Sequence, residues 1–126
     1  MIVDAIDHVN IRAPAADIAR LKQFYCEVLG LTEGWRPPFE SRGFWLYAGR
    51  HPLVHLVEGN SGAGAAAGAG VDHIAFRCAD LDACGARLRE RGLEFRETQV
   101  PGLGQRQIVL RDPLGMGVEI TAAAPE

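Results

Sequence analysis

The segment Asp7-His8-Val9-Asn10-Ile11 returns 65 residues later as Asp72-His73-Ile74-Ala75-Phe76. A chain that repeats itself builds one supersecondary unit twice, which restricts the fold before any element is assigned. Between the copies, Glu58-Gly59-Asn60-Ser61 leads into an Ala/Gly run that ends at Gly70. That run has no periodic apolar face, so it reads as a flexible linker. Residues 1–126 are thus expected to form a single domain, with one module at 1–58, a linker at 59–70 and a second module at 71–124. Neither module is long enough to bury a core easily on its own. They are expected to pack on each other or on a second copy, which predicts a homodimer.

Each module reads as strand, helix, then three strands, an α+β pattern. In the first, Ile6–Ile11 is a β-rich run, and Pro14 with Asp17 supplies helix-start chemistry, Asp17 as N-cap. Ile18, Leu21, Tyr25, Val28 and Leu29 fall on one helical stripe that Gly30 ends. Leu31–Arg36, Phe44–Gly49 and Leu53–Glu58 complete the module as strands. In the second, Asp72–Cys78 is a strand, and Leu81, Cys84 and Leu88 mark a helix stopped by Gly92. Leu93–Val100, Gln105–Leu110 and Gly117–Ala122 follow, with Asp112-Pro113-Leu114-Gly115 as the turn between the last two.

Composition narrows the function classes. With 48% hydrophobic and 23% charged residues, the chain matches an ordinary soluble domain. A net charge of −3 with scattered basic residues argues against nucleic acid as a partner. It has no run of 18 apolar residues and no basic flank before an apolar N-terminal stretch. Neither a membrane span nor a signal peptide is therefore expected, and the localisation read from this is cytoplasmic. Cys26, Cys78 and Cys84 are odd in number and lack CxxC spacing, so they read as small core or helix residues.

Placed on the repeat, His8 and His73 hold the same position in the first strand of each module. His55 and Glu119 hold the same position in the last strands, 47 and 46 residues further on. A histidine in an apolar strand is by itself often a hydrogen-bonded core residue. Here the repeat predicts where each of the four should fall, and a pseudo-twofold relation would bring them to one point. Three imidazoles and one carboxylate suit one divalent ion such as Zn, Ni, Co, Mn or Fe, with positions left for substrate. His51, beside Pro52, reads as a solvated turn residue.

Strand alternation puts Asn10 and Arg12 on the face of His8 and Arg77 on the face of His73. These side chains either line the space around the ion or, for the two arginines near strand ends, reach solvent. Lining cations would favour an anionic small-molecule substrate. Trp35, Phe44, Trp45 and Tyr47 cluster in the first module, where Trp35 and Tyr47 are candidates for an apolar substrate wall.

These motifs, together with Phe24-Tyr25-Cys26-Glu27-Val28-Leu29-Gly30-Leu31 and Arg111-Asp112-Pro113-Leu114-Gly115 ahead of Val118-Glu119-Ile120, resemble the vicinal oxygen chelate superfamily. That group includes glyoxalase I, fosfomycin-resistance transferases, methylmalonyl-CoA epimerase, extradiol dioxygenases and metal-free bleomycin-resistance proteins. The resemblance implies paired βαβββ modules whose curved, eight-stranded sheet forms a cup around one divalent ion, usually in a homodimer. His8, His73 and Glu119 match metal positions of the family. His55 stands where glyoxalase I-like members carry glutamate and epimerases glutamine, and Arg12 matches a position where some glyoxalases hold glutathione.

The activity implied is a metal-dependent glyoxalase-like lyase or isomerase. Its substrate would chelate the ion through vicinal oxygens, and Glu119 would be the catalytic base. Alternatives are a small Fe(II) extradiol-type dioxygenase, or a drug-binding resistance protein without catalysis.

Overall fold

The structure, a computed structural model, describes residues 2–59, 70–111, 113 and 115–122. The interior of the expected linker, and Asp112 and Leu114 of the expected turn, lie outside the described residues. Eight strands and two helices are found among the described residues. They run β1 (Ala5–Ala13), α1 (Ala15–Glu27), β2 (Thr32–Gly34), β3 (Gly43–Ala48), β4 (His51–Glu58), β5 (Gly70–Cys78), α2 (Leu81–Glu90), β6 (Arg96–Gln99), β7 (Arg106–Arg111) and β8 (Gly117–Ala122). The strand-helix-three-strand order therefore occurs twice, as the repeat predicts. The chain forms two compact units, one of residues 8–72 and one of residues 1–7 with 73–126.

In the first unit the strands lie in the order β2-β3-β4-β1, with β4 parallel to β1 and antiparallel to β3. Helix α1 packs its apolar face on these strands through Ile18, beside Ala13, Leu46, Val54 and Leu56, with Leu21 and Tyr25 at the margin. Its start differs from expectation. The N-cap is Pro14 in an extended conformation with no side-chain cap, and Asp17 sits inside the first turn. Proline suits a helix entry because its missing N–H would be unsatisfied there in any case. The helix also ends earlier than its apolar stripe, so Val28 and Leu29 lie beyond it and are exposed. Gly30, at φ +77°, takes the left-handed conformation that turns the chain back toward β2. His51 is not in a turn: it is the exposed first residue of β4, paired with Ala48.

The second unit repeats the plan, with order β5-β8-β7-β6, β8 parallel to β5 and antiparallel to β7. Its core is Cys78, Leu81, Cys84, Leu88, Ile108 and Ile120, with Ile2 and Phe95 packed against it. Here the helix start follows the usual rule, since the Asp80 side chain accepts from the Ala83 N–H at 3.0 Å. The outer strands β2 and β6, three and four residues long, are shorter than the expected Leu31–Arg36 and Leu93–Val100. Short edge strands present few unpaired backbone groups.

The register carries the repeat down to single residues. Asn10 stands opposite His55 on β1 and β4, and Ala75 stands opposite Glu119 on β5 and β8. In both units the first-strand histidine lies two residues before that partner, so strand alternation places it on the same face. This is why each histidine can meet the last-strand residue of its own unit.

Candidate metal-binding residues

In the unit of residues 73–126, His73 Nε2 lies 3.1 Å from Glu119 Oε2, with both side chains about one-eighth exposed at 13%. The second carboxylate oxygen, Oε1, accepts from Gln107 Nε2 at 3.2 Å. Gln107 also reaches Thr121 Oγ1 at 3.4 Å, and Thr121 is its direct partner across β7 and β8. The carboxylate is thus fixed at both ends by neighbours on its sheet. An imidazole and a carboxylate at this spacing are two ligand atoms for a divalent cation, and each side chain offers one.

The matched pair in the unit of residues 8–72 behaves differently. His8 and His55 are both buried, and their rings stack with centroids 3.7 Å apart and planes inclined at 16°. Trp45, on β3 directly opposite His55, covers the other side of that ring at 4.0 Å and 13°. His55 Nε2 lies 3.0 Å from the Pro52 carbonyl, which can only accept, so that nitrogen carries the proton. Histidine with carboxylate makes a hydrogen bond, whereas two flat rings at the equivalent spacing stack. The repeat is kept in the backbone and broken in side-chain chemistry.

Asn10 lies two residues from His8 on the same strand face, and its Oδ1 is buried with no hydrogen-bond partner among the described residues. A buried acceptor left unpaired is costly, so this atom suits a donor such as a coordinated water or a substrate hydroxyl. Arg12 donates from Nε to Asp72 at 3.0 Å, and Arg77 donates from Nε to Asp4 at 2.9 Å. Each arginine is oriented by a carboxylate of its own unit while staying partly exposed, Arg12 at 34% and Arg77 at 47%. The Tyr47 hydroxyl donates to the Trp35 carbonyl, and partial burial raises its pKa. The Trp35 ring is half-exposed and meets Trp45 edge to face at 6.3 Å. Sequence reading names Trp35 and Tyr47 but misses Gln107, Pro52 and the role of Trp45. Only the turn between the last two strands could have signalled Gln107, by setting it across from Thr121.

Residues 5–120 match the family model of the Glyoxalase/Bleomycin resistance protein/Dioxygenase superfamily. Among curated proteins no match is found. Among solved structures, methylmalonyl-CoA epimerase from Mycobacterium tuberculosis is similar at 23% identity and TM-score 0.72, covering 98% of this chain and 91% of that one. The 2,3-dioxygenase LapB from Pseudomonas sp. KL28 is similar at 21% identity and TM-score 0.76, covering 97% of this chain and 41% of that one. Homoprotocatechuate 2,3-dioxygenase from Brevibacterium fuscum, as its E323L mutant, is similar at 21% identity and TM-score 0.73, covering 98% and 33%. The chain thus spans most of the epimerase but less than half of either dioxygenase. These likenesses establish the glyoxalase-like α+β fold.

Proposed function

The chain belongs to the Glyoxalase/Bleomycin resistance protein/Dioxygenase superfamily, and from that premise we propose that it is a divalent-metal-dependent lyase or isomerase acting on a small substrate with two neighbouring oxygens. The observation that carries this reading is the His73–Glu119 pair at 3.1 Å, held by Gln107 on one face of its sheet. The residues proposed to hold the ion are His8, His73 and Glu119, each of which offers one ligand atom. His55, the fourth candidate, stacks on His8. The donor set fits such an ion, since two imidazoles and a carboxylate suit Zn, Ni, Co, Mn or Fe.

The ion, when bound, would supply Lewis acidity that stabilises negative charge developing on a substrate oxygen. The residues of this chain would do the rest. Glu119 takes the substrate proton at a carboxylate oxygen, and Gln107 keeps that carboxylate aimed. Asn10 Oδ1, buried and without a hydrogen-bond donor among the described residues, accepts from a substrate hydroxyl. Arg12 and Arg77, already oriented by Asp72 and Asp4, provide charge for an anionic substrate group, and Trp35 provides apolar wall. A homodimer is part of this reading, supported by Phe24, Val28 and Leu29, which remain exposed at the end of α1.

Metal loading followed by turnover tests the proposal. Tag-free protein reloaded with Ni, Co, Zn or Mn is expected to hold about one equivalent per chain and to convert an α-dicarbonyl adduct or an α-substituted thioester. E119Q is expected to lower kcat by at least about a hundredfold, and retained turnover in this variant removes Glu119 as the base.

A second reading, a ring-cleaving Fe(II) dioxygenase, is favoured by the composition of the set, because two histidines and one carboxylate also suit non-haem Fe(II). It predicts oxygen-dependent yellowing of a catechol by the Fe(II)-loaded protein. The coverage of the epimerase, against less than half of each dioxygenase, ranks it second. Ligand binding without product under every loading would leave the drug-binding reading.

A further inference from the structure

We propose that His55 is a positioning residue and not a metal ligand: Trp45 and the Pro52 carbonyl lock its ring as a shelf that sets the orientation of His8. The inference rests on the reading of His8 as a metal ligand. Imidazole coordinates through an in-plane lone pair, so two rings can share an ion only where their planes cross. The His8 and His55 rings have centroids 3.7 Å apart and planes inclined at 16°, so their planes meet on the order of 10 Å away, whereas a metal–imidazole bond is about 2.1 Å. One ion cannot satisfy both rings in this arrangement.

The rest of the neighbourhood holds His55 where it is. Trp45 covers its second face at 4.0 Å and 13°, giving a three-ring ladder of Trp45, His55 and His8. All three side chains are buried, at 8%, 6% and 3% exposure. The proton on His55 Nε2 is spent on Pro52 at 3.0 Å, three residues back along the same strand. Turning the ring to ligate would break that bond and unstack two faces at once. Trp45 is itself braced, edge to face by Trp35 and at a tilt by Phe39 at 6.2 Å. Groups that orient a ligand histidine are commonly worth 10- to 100-fold in metal affinity. In this chain a stack takes that place, and the ligand set becomes two imidazoles and one carboxylate.

Co(II) is the probe. Wild-type protein loaded with Co(II) is expected to show two exchangeable, hyperfine-shifted imidazole N–H resonances, and three would overturn the proposal without any substitution. H55F keeps a flat ring but cannot ligate, and is expected to retain stoichiometric Co(II) and the wild-type visible spectrum. Loss of Co(II) from a folded H55F would overturn the proposal. W45L removes the support, and is expected to weaken Co(II) binding by about tenfold or more with the visible spectrum at saturation unchanged. Unaltered affinity in W45L would also overturn it. The metal reading fails separately, when wild-type protein binds no Co(II) at all, and the shelf then has nothing to orient.

Discussion

Glu119 has two carboxylate oxygens, and each has a different partner: His73 at Oε2 and Gln107 at Oε1. The first contact involves a candidate ligand, whereas the second is purely a matter of aim. Replacing Gln107 by leucine removes that aim and leaves Oε1 without its donor. Q107L is expected to bind metal 10- to 100-fold more weakly than wild type, measured by competition with a chromophoric chelator. Unchanged affinity would show that the His73 contact alone suffices. Glu119 and His73 were legible in the sequence because a repeat plus strand alternation needs only position. Gln107 was not, because its contact depends on the register of β7 against β8 and on a side-chain rotamer.

At the scale of elements, the two helices are parallel cases with different starts. α1 begins at Pro14 without a side-chain cap, whereas α2 begins at Asp80, whose carboxylate accepts from Ala83. D80A is therefore expected to cost about 1 kcal/mol, read as a lowered urea midpoint at unchanged slope. D17A on α1 removes no cap and is expected to cost less, although sequence reading had placed the cap there. The capping rule alone ranked Asp17 above proline, but the geometry of the exit from β1 decided the point.

The α2 core also carries Cys78, whose thiol burial and the neighbouring Cys84 push up to about 12 from an ordinary 9.0. Between those values the unfolded chain gives up the proton and the folded chain keeps it. Stability is thus unaffected by this group below about pH 9 and falls as pH rises toward 12. C78A is expected to show a shallower alkaline loss of stability than wild type, measured as urea midpoints from pH 8 to pH 10.5. Equal slopes for the two proteins would remove the thiol as the cause.

For the whole molecule, the sequence places every strand within a few residues, and β2 and β6 are shorter than the expected Leu31–Arg36 and Leu93–Val100. Those are the outermost strands of the two sheet orders, where a partner lies on one side only and pairing fails first. No helix among the described residues is long and apolar enough to cross a membrane. Exposed Phe24, Val28 and Leu29, with Leu53 and Trp35 elsewhere in the same unit, leave apolar surface that a second copy would cover. Light scattering is expected to give twice the 13.6 kDa of one chain. A monomeric mass at micromolar concentration would refute the dimer.

The sequence by itself determined the duplication, the strand-helix-three-strand order and, within each unit, the shared strand face of His8 with His55 and of His73 with Glu119. All of these follow from periodicity along the chain, which every residue carries locally. Only the tertiary structure decided that His73 bonds a carboxylate while His8 stacks on a ring. It also decided that Trp45 and Pro52 hold His55 and that Gln107 aims Glu119. Those relations join residues on different strands, and they depend on register, ring orientation and the chemistry of whatever stands opposite. A repeat preserves positions; which contact forms at each position is settled by the pair that meets there.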